Sequence, residues 1–300
     1  MRPVINENIP PTGLQSKTCP QLPALVLALM LAHRTIVVAG VLLLMASVAL
    51  AHDLFVKLDT YFLEPHARVR IPVLNGTFAK SEGVVAPDRV ADISVVSRAG
   101  RTRLSAATVW SRGPDSTSLL NLELGDAGTY VVAVSTRARE IDLRAGEFNA
   151  YLEEDGMPGI LEARRRNNEL GKGARERYSK HVKAVFQVGT PRSEDFSVVV
   201  GYPAEIVPLE NPYAIGRGTP LRVRCLVDGH PVAKQMVLWG GEQRGRTLSQ
   251  RSTRTGPDGV AAVTLDGAGR WYVKFVHMER ATRRGLDYES KWATLTFETR

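Results

Sequence analysis

Short alternating strands separated by polar turns are the feature that most constrains the fold of this chain. In His52–Leu58, for example, Leu54, Val56 and Leu58 fall on one face, and Asn75-Gly76 has the composition of a tight turn. Strands at this spacing are typical of a β-sandwich or a small barrel, whereas a parallel sheet needs a helix between successive strands. Further strands are predicted at Val69–Leu74, Asp92–Ser97, Ser118–Leu124 and Thr129–Ser135.

Residues 138–180 interrupt the strand pattern. Phe148, Tyr151 and Leu152 recur at helical spacing, and Met157-Pro158-Gly159 breaks that periodicity before a charged stretch begins. We therefore predict one or two short helices in this segment, which would act as a linker between two β-rich domains.

The second half of the chain weakly repeats the first. Arg68–Gly76 resembles Arg222–Gly229, and Gly125–Val134 resembles Gly267–Val276, in the same order along the chain. Two tandem sandwiches explain this order economically, although unrelated β-domains also share turn and strand patterns. The prediction is a mainly β protein with a first sandwich at residues 52–137 and a second at residues 181–300, which includes a returning strand at 181–188.

The N-terminal 51 residues read as a leader. An apolar run at Ile36–Leu44 follows a basic flank, and Ala49-x-Ala51 is the small-residue pattern that signal peptidase cleaves. Cleavage after Ala51 would send the chain to the periplasm or the exterior. An uncleaved membrane anchor is the alternative, but the run Ile36–Ala51 is shorter than the roughly 20 residues of a spanning helix. Translation from Met30 would give a more ordinary signal peptide.

Charge and cysteine content exclude several classes. The full chain carries a formal charge of +8, and residues 1–51 hold three cations and one anion, which leaves about +6 after cleavage. The basic residues are not interleaved with aromatic ones, so the sequence does not predict nucleic-acid binding. Of the two cysteines, Cys19 lies in the leader, so the mature chain has no internal disulfide, and Cys225 is predicted to be a core residue.

Several stretches spread over the mature chain carry a family resemblance: Ala51–Val56, Tyr61–Pro65, Arg177–Ala184, Glu205–Tyr213, Gly269–Met278 and Asp287–Ser290. Through them the chain resembles a bacterial exported family of unknown function that has been linked to nickel transport in the periplasm. Through the order Asp228–Val232, Thr255–Gly259 and Gly269–Val273, it also resembles immunoglobulin-like and transthyretin-like modules. The family resemblance implies a secreted β-sandwich, with some relatives associated with nickel or cobalt uptake, and it assigns no binding residue.

His52 is the sharpest candidate ligand, because cleavage after Ala51 would place a free α-amine and an imidazole on one residue. Such nitrogen donors, with Asp53 beside them, suit Ni(II), Co(II) or Cu(II) better than Mg²⁺ or Ca²⁺. The third residue of the mature chain is Leu54 rather than a histidine, so a tight site needs a second histidine that the fold delivers. His277 and His181 are the candidates, and residue spacing cannot show whether they meet His52.

The remaining histidines have simpler interpretations. His66 and His230 lie in turns beside proline, where a solvated side chain is expected. His181 lies on the less apolar face of its strand, which favours a surface or cross-strand role. His277 ends a strand near Glu289, and the alternative to a metal ligand is an imidazole hydrogen-bonded to Glu289 or to the backbone.

No catalytic motif occurs in the sequence, since G-x-S-x-G, H-E-x-x-H and a phosphate-binding glycine loop are all missing. We therefore predict a non-enzymatic, exported metal-binding accessory that passes Ni(II), Co(II) or Cu(II) to a membrane transporter or another envelope protein. The alternative is an immunoglobulin-like interaction module of the cell envelope that binds a protein or a glycan without a metal. The sequence leaves the metal, the partner and the oligomeric state open.

Overall fold

The computed structural model of the chain describes residues 52–216 and 218–300. The predicted leader and its cleavage position lie outside the described residues. The described part is mainly β, as predicted, and its strands form three sheets.

The strands of the first half are β1 (Asp53–Val56), β2 (Phe62–Leu63), β3 (Arg68–Gly76), β4 (Ser81–Gly83), β5 (Val90–Ser97), β6 (Gly100–Arg103), β7 (Trp110–Arg112), β8 (Ser118–Glu123), β9 (Gly128–Thr136) and β10 (Arg139–Leu143). Those of the second half are β11 (Ala174–Val188), β12 (Ala204–Pro208), β13 (Leu221–Val227), β14 (His230–Pro231), β15 (Met236–Gln243), β16 (Arg246–Thr247), β17 (Arg251–Arg254), β18 (Val260–Val263), β19 (Gly269–Arg280) and β20 (Tyr288–Thr299). The helices are α1 (Ala106–Val109), α2 (Ala145–Glu154) and α3 (Pro158–Arg166), with 3₁₀ turns at Pro87–Arg89 and Glu194–Ser197.

The two helices predicted in the central segment form α2 and α3. Phe148, Tyr151 and Leu152 of α2 are buried, which agrees with their helical spacing. Gly156, with φ of +76°, lies between the helices in the left-handed region that glycine adopts readily, and Pro158 opens α3, where its missing N–H costs nothing. The segment is more than a linker, because it also contains β10 and the first part of β11.

A central sheet of 11 strands contains strands from both halves of the chain. Along it run β16, β15, β19, β20, β11, β9, β5 and β6, and the long strands β11 and β20 pair in parallel at its centre. β11 begins at Ala174 rather than at residue 181, so the boundary predicted between linker and second domain falls inside a strand. The first seven residues of β11 are mostly charged, which gave them the sequence signature of a solvated linker.

A smaller sheet covers each face of the central sheet. The five-stranded sheet of β1, β3, β4, β7 and β8 covers one face, where the hydroxyls of Thr294 and Thr296 donate to the carbonyls of Leu54 and Val56. The four-stranded sheet of β12, β13, β14 and β18 covers the other, where the Lys183 ammonium lies 3.0 Å from the Glu205 carboxylate. The layers are therefore those of two sandwiches that share their middle sheet.

Apolar side chains from all three sheets form one continuous core. Cys225 is among its fully buried members, as predicted for a small core residue. A second apolar cluster lies under α2 and α3, where the rings of Tyr151 and Trp292 stack with their centroids 5.6 Å apart. The two helices therefore pack on the end of the central sheet that contains Tyr288 and Trp292.

Candidate functional site

His52 lies immediately before β1 and is held at two points. Its Nε2 is 3.0 Å from a carboxylate oxygen of Glu82, and its backbone carbonyl accepts a hydrogen bond from the Lys180 ammonium. The imidazole is only 17% exposed. Because Glu82 occupies Nε2, the ring nitrogen that remains for another ligand is Nδ1.

Asp53 is the first residue of β1, and its carboxylate is buried beside Lys274 of the central sheet. The Lys274 ammonium bonds both Asp53 and Asp155, the latter at 2.8 Å. Burial opposes the charge on Lys274, but the two carboxylates together raise its pKa above the ordinary value. Asp53 therefore serves as a buried counter-ion, although its second oxygen, Oδ1, has no hydrogen-bond partner within residues 52–216 and 218–300.

Asp155 follows α2 and is the second carboxylate in this cluster. Burial raises its pKa to about 6, against the lowering effect of Lys274. One cation thus bridges the start of β1 and the end of α2. The ion pair joins two elements that lie about 100 residues apart in the sequence.

Lys180 and Glu176 are buried on the same face of β11. Burial lowers the pKa of Lys180 to about 8 and raises that of Glu176 to about 7. The Glu176 carboxylate accepts hydrogen bonds from the hydroxyls of Tyr151, at 3.0 Å, and Ser290. These polar groups explain why the charged beginning of β11 tolerates burial: each has a tertiary partner.

His181 is buried and makes two hydrogen bonds within the central sheet. Its Nδ1 is 2.9 Å from the Ser135 hydroxyl of β9, and its Nε2 is 3.0 Å from the Ser179 hydroxyl. Burial lowers the pKa of this imidazole to about 3, so the ring is neutral at physiological pH. The side chain has the predicted cross-strand role, but it is not on the surface.

His277 is partly buried, and its partner differs from the one expected. Its Nδ1 lies 3.1 Å from the side-chain oxygen of Gln235, and burial lowers its pKa. Glu289 bonds Arg177 instead, at 3.3 Å. The strand pairing explains the difference. His277 lies opposite Lys291, whereas Glu289 lies opposite Glu279, two residues further along β19.

The predicted ligands are divided between the two faces of the central sheet. Successive residues of a strand point to opposite faces. On one face, Lys180 contacts the carbonyl of His52 and Lys274 contacts the carboxylate of Asp53. His181 directly follows Lys180 on β11, so it points to the other face. His277 lies three residues after Lys274 on β19, so it also points to that other face. His52 and Asp53 are neighbours in the chain, but the imidazole contacts Glu82 and the carboxylate contacts Lys274, and both residues are separated from His181 and His277.

Neither second histidine therefore reaches His52. Across the described residues, no group of three or more His, Cys, Asp or Glu side chains is arranged to hold a metal ion. None of the described helices is both long and apolar enough to cross a bilayer.

Sequence reasoning missed Glu82, Lys180 and Asp155. In the sequence, Glu82 lies in a short polar stretch, Lys180 in a charged stretch and Asp155 at the end of an acidic run, so each is expected to be solvated. Only the pairing of β1 with β3 and the packing of β1 on the central sheet bring them together. No local signal in the sequence marks these contacts.

Several solved structures show a distant likeness to the chain. The D0-D1 domain of intimin is 14% identical, with a TM-score of 0.19, over 82% of this chain and 98% of that one. The trypsin-activated alpha-2-macroglobulin from Escherichia coli is 10% identical, with a TM-score of 0.22, over 84% of this chain and 16% of the other. No functional conclusion follows from likeness at these scores, and no curated protein matches the chain.

A family model matches most of the chain. It covers residues 49–279, which include His52, the buried ion pairs and all three helices. The description of the family names no activity, so the link to nickel transport stays a prediction. The chain belongs to the family described as Domain of unknown function (DUF4198).

Proposed function

We propose that this protein is an exported binding protein for a late first-row transition metal ion, Ni(II), Co(II) or Cu(II), and that His52 of the processed chain is its anchor ligand. In this proposal the protein is an accessory that delivers the ion to a membrane transporter. Asp53, His181 and His277 drop out of the ligand set, because the first is a counter-ion of Lys274 and the other two lie on the opposite face of the sheet.

The contact between Glu82 and His52 carries the proposal. A carboxylate that accepts a hydrogen bond from one ring nitrogen orients an imidazole and raises the basicity of the other nitrogen, as it commonly does for metal-binding histidines. With Nε2 held by Glu82 at 3.0 Å, Nδ1 and the α-amine released by cleavage would close a six-membered chelate ring. The Lys180 contact to the His52 carbonyl restrains the backbone of the same residue.

A chelate from one residue leaves most of the coordination sphere open. The described residues supply no further histidine or cysteine near it, so water or a group from the recipient would complete the sphere. An open sphere suits delivery, because the recipient can add its own ligands before the first ones leave. It also predicts moderate affinity, higher for Cu(II) than for Ni(II) or Co(II).

The test is calorimetric titration of Ni(II) and Cu(II) into the chain that begins at His52 and into the same chain with its N-terminal amine acetylated. We expect one-to-one binding by the first and its loss in the second, because an amide nitrogen replaces the amine and acetylation supplies no new amine. A free peptide of residues 52–58 is the reference for an unstructured histidine terminus, and the folded chain should bind at least tenfold more tightly than this peptide.

Two matched variants test the role of Glu82. Glu82→Gln should weaken binding about 10–100-fold, because it removes the carboxylate that orients the imidazole. His66→Asn, which changes an exposed histidine in a turn, should leave binding unchanged. Equal, weak binding by the chain with a free and with an acetylated N-terminus would contradict the proposal and favour the alternative, a metal-free interaction module of the envelope.

A further inference from the structure

A small cavity of about 130 Å³ lies between the five-stranded sheet and the central sheet, close to β1. The backbone of Val84–Ala86 forms one wall. The polar side chains that line the cavity are Asn75, Arg89, Thr136, Arg139, Tyr178 and Lys180. Three of these are cations, and no carboxylate lines the cavity.

The charge of these cations is incompletely satisfied. Nη1 of Arg89 is buried and has no hydrogen-bond partner among the described residues. Among residues 52–216 and 218–300, neither Arg89 nor Arg139 forms an ion pair with a carboxylate, and the Arg89 guanidinium lies 5.6 Å from the ring centroid of Tyr178. A buried donor without a partner is uncommon in folded proteins, and an unseen ligand is one of its ordinary explanations.

Lys180 adds the third positive charge from the floor of the cavity. Its ammonium bonds two neutral oxygens, the His52 carbonyl and the Asn75 side chain, the latter at 3.5 Å. It also lies 5.5 Å from the ring centroid of Tyr178. Asp53 and Asp155 act on Lys180 electrostatically but form their hydrogen bonds with Lys274, so its ammonium retains donor capacity.

We infer that this cavity binds a small oxyanion of the size and charge of inorganic phosphate or sulfate. Two guanidinium groups offer planar pairs of N–H donors that match the oxygens of such an anion, and the lysine supplies a point charge opposite them. Liquid water occupies about 30 Å³ per molecule, so the cavity holds roughly four or five water-sized groups. That volume fits a tetrahedral oxyanion.

The site is independent of the metal proposal. It uses the guanidinium groups of Arg89 and Arg139, which touch neither the His52 imidazole nor the position of the released α-amine. The two proposals share only Lys180, which contacts the His52 carbonyl and lines the cavity. An absence of metal binding would therefore not contradict the anion site, and an absence of anion binding would not contradict the metal proposal.

The experiment is calorimetric titration of inorganic phosphate, sulfate and acetate into residues 52–300 at low ionic strength, where screening of the cavity charges is weak. We expect saturable one-to-one binding of phosphate and sulfate and much weaker binding of acetate, which has one fewer charge at neutral pH. Thermal unfolding with and without phosphate gives a second readout, since a ligand that binds only the folded state raises the midpoint.

Arg89→Gln and Arg139→Gln should each weaken phosphate binding at least tenfold. Arg139 is exposed on β10, so its replacement does not disturb the core, and Arg89→Gln removes a donor that is already unpartnered. Arg70→Gln is the matched control, because it removes the same charge from an exposed position on β3 outside the cavity.

Three results would overturn the inference. The first is an absence of saturable binding of phosphate and sulfate at low ionic strength. The second is undiminished binding by both Arg89→Gln and Arg139→Gln. The third is an equal loss in Arg70→Gln, which would show attraction to the overall positive charge of the chain rather than to this cavity.

Discussion

Burial shifts the pKa of an acid and of a base in opposite directions, and Glu176 and His181 illustrate the two cases. Burial disfavours the charged form of both groups, so it raises the pKa of the Glu176 carboxyl to about 7 and lowers that of the His181 imidazole to about 3. Hydroxyl groups hydrogen-bond both side chains, and those at Glu176 favour its charged form without outweighing the effect of burial on its pKa. Neutral His181 is therefore a structural cross-strand residue, and its burial removes it from the candidate ligands.

Replacing Glu176 by glutamine should stabilise the protein at alkaline pH. The folded-state pKa of Glu176 lies above the unfolded value, so its contribution to stability is complete below about pH 4.5 and is lost as the pH rises through 7. Glutamine resembles the neutral acid and does not ionise. The unfolding free energy of Glu176→Gln, relative to that of the natural chain, should therefore rise by about 2–3 kcal/mol between pH 5 and pH 8.

Urea unfolding at the two pH values measures this shift. Glu140→Gln is the control, because Glu140 forms a partly exposed ion pair with Arg175 and should show little dependence of this kind. A constant free-energy difference between Glu176→Gln and the natural chain at both pH values would show that Glu176 ionises in the folded state as readily as in the unfolded one.

At the scale of elements, Lys274 of β19 connects the start of β1 to the end of α2 through two buried carboxylates. Lys274→Met should lower the free energy of unfolding by about 3–5 kcal/mol, because it leaves Asp53 and Asp155 beside each other without the cation that bonds them. The triple variant with Asp53→Asn and Asp155→Asn should recover part of this loss, since the two carboxylates no longer repel each other, but Lys180 then loses the attraction of both. Denaturant unfolding of the single and triple variants measures both effects.

A surface lysine provides the comparison for this prediction. Lys291 of β20 pairs with Asp228, whose side chain is largely exposed, so Lys291→Met should cost less than about 1 kcal/mol. A loss for Lys274→Met no larger than that for Lys291→Met would show that the buried pair contributes nothing beyond a surface one, and that β1 is held by its backbone pairing alone.

Strand positions were largely predictable from alternation, whereas the partners of each strand were not. The turn at Asp228-Gly229 was recognisable from its composition, and in the structure both residues have positive φ in a two-residue hairpin loop. The charged start of β11 was instead predicted to belong to a solvated linker, because alternation identifies a strand only where one face is apolar. The Glu82–His52 contact likewise depends on the pairing of β1 and β4 with β3, to which residue types along the chain give no clue.

At the scale of the whole molecule, β11 and β20 place the predicted domains in a common sheet. β11 pairs with β9 of the first half, and β20 pairs with β19 of the second. A tandem pair of independent sandwiches would let each half keep its own core, but here one apolar core includes side chains from all three sheets. The sequence repeat that suggested tandem domains is compatible with this arrangement, since related strands can join one sheet.

The shared sheet predicts that the two halves unfold together. Trp110 reports on the five-stranded sheet and Trp239 on β15 at the far side of the central sheet, and both are buried. Two variants separate these signals: each retains one of the two tryptophans and has the other three tryptophans of the chain replaced by phenylalanine. The urea midpoints that fluorescence gives for the two variants should coincide within error. Ala293→Asp, a change at a buried position in the middle of β20, should lower both midpoints together, because it places a charge in the strand that joins the halves. Two midpoints that separate, or that respond differently to Ala293→Asp, would instead indicate sandwiches that fold independently.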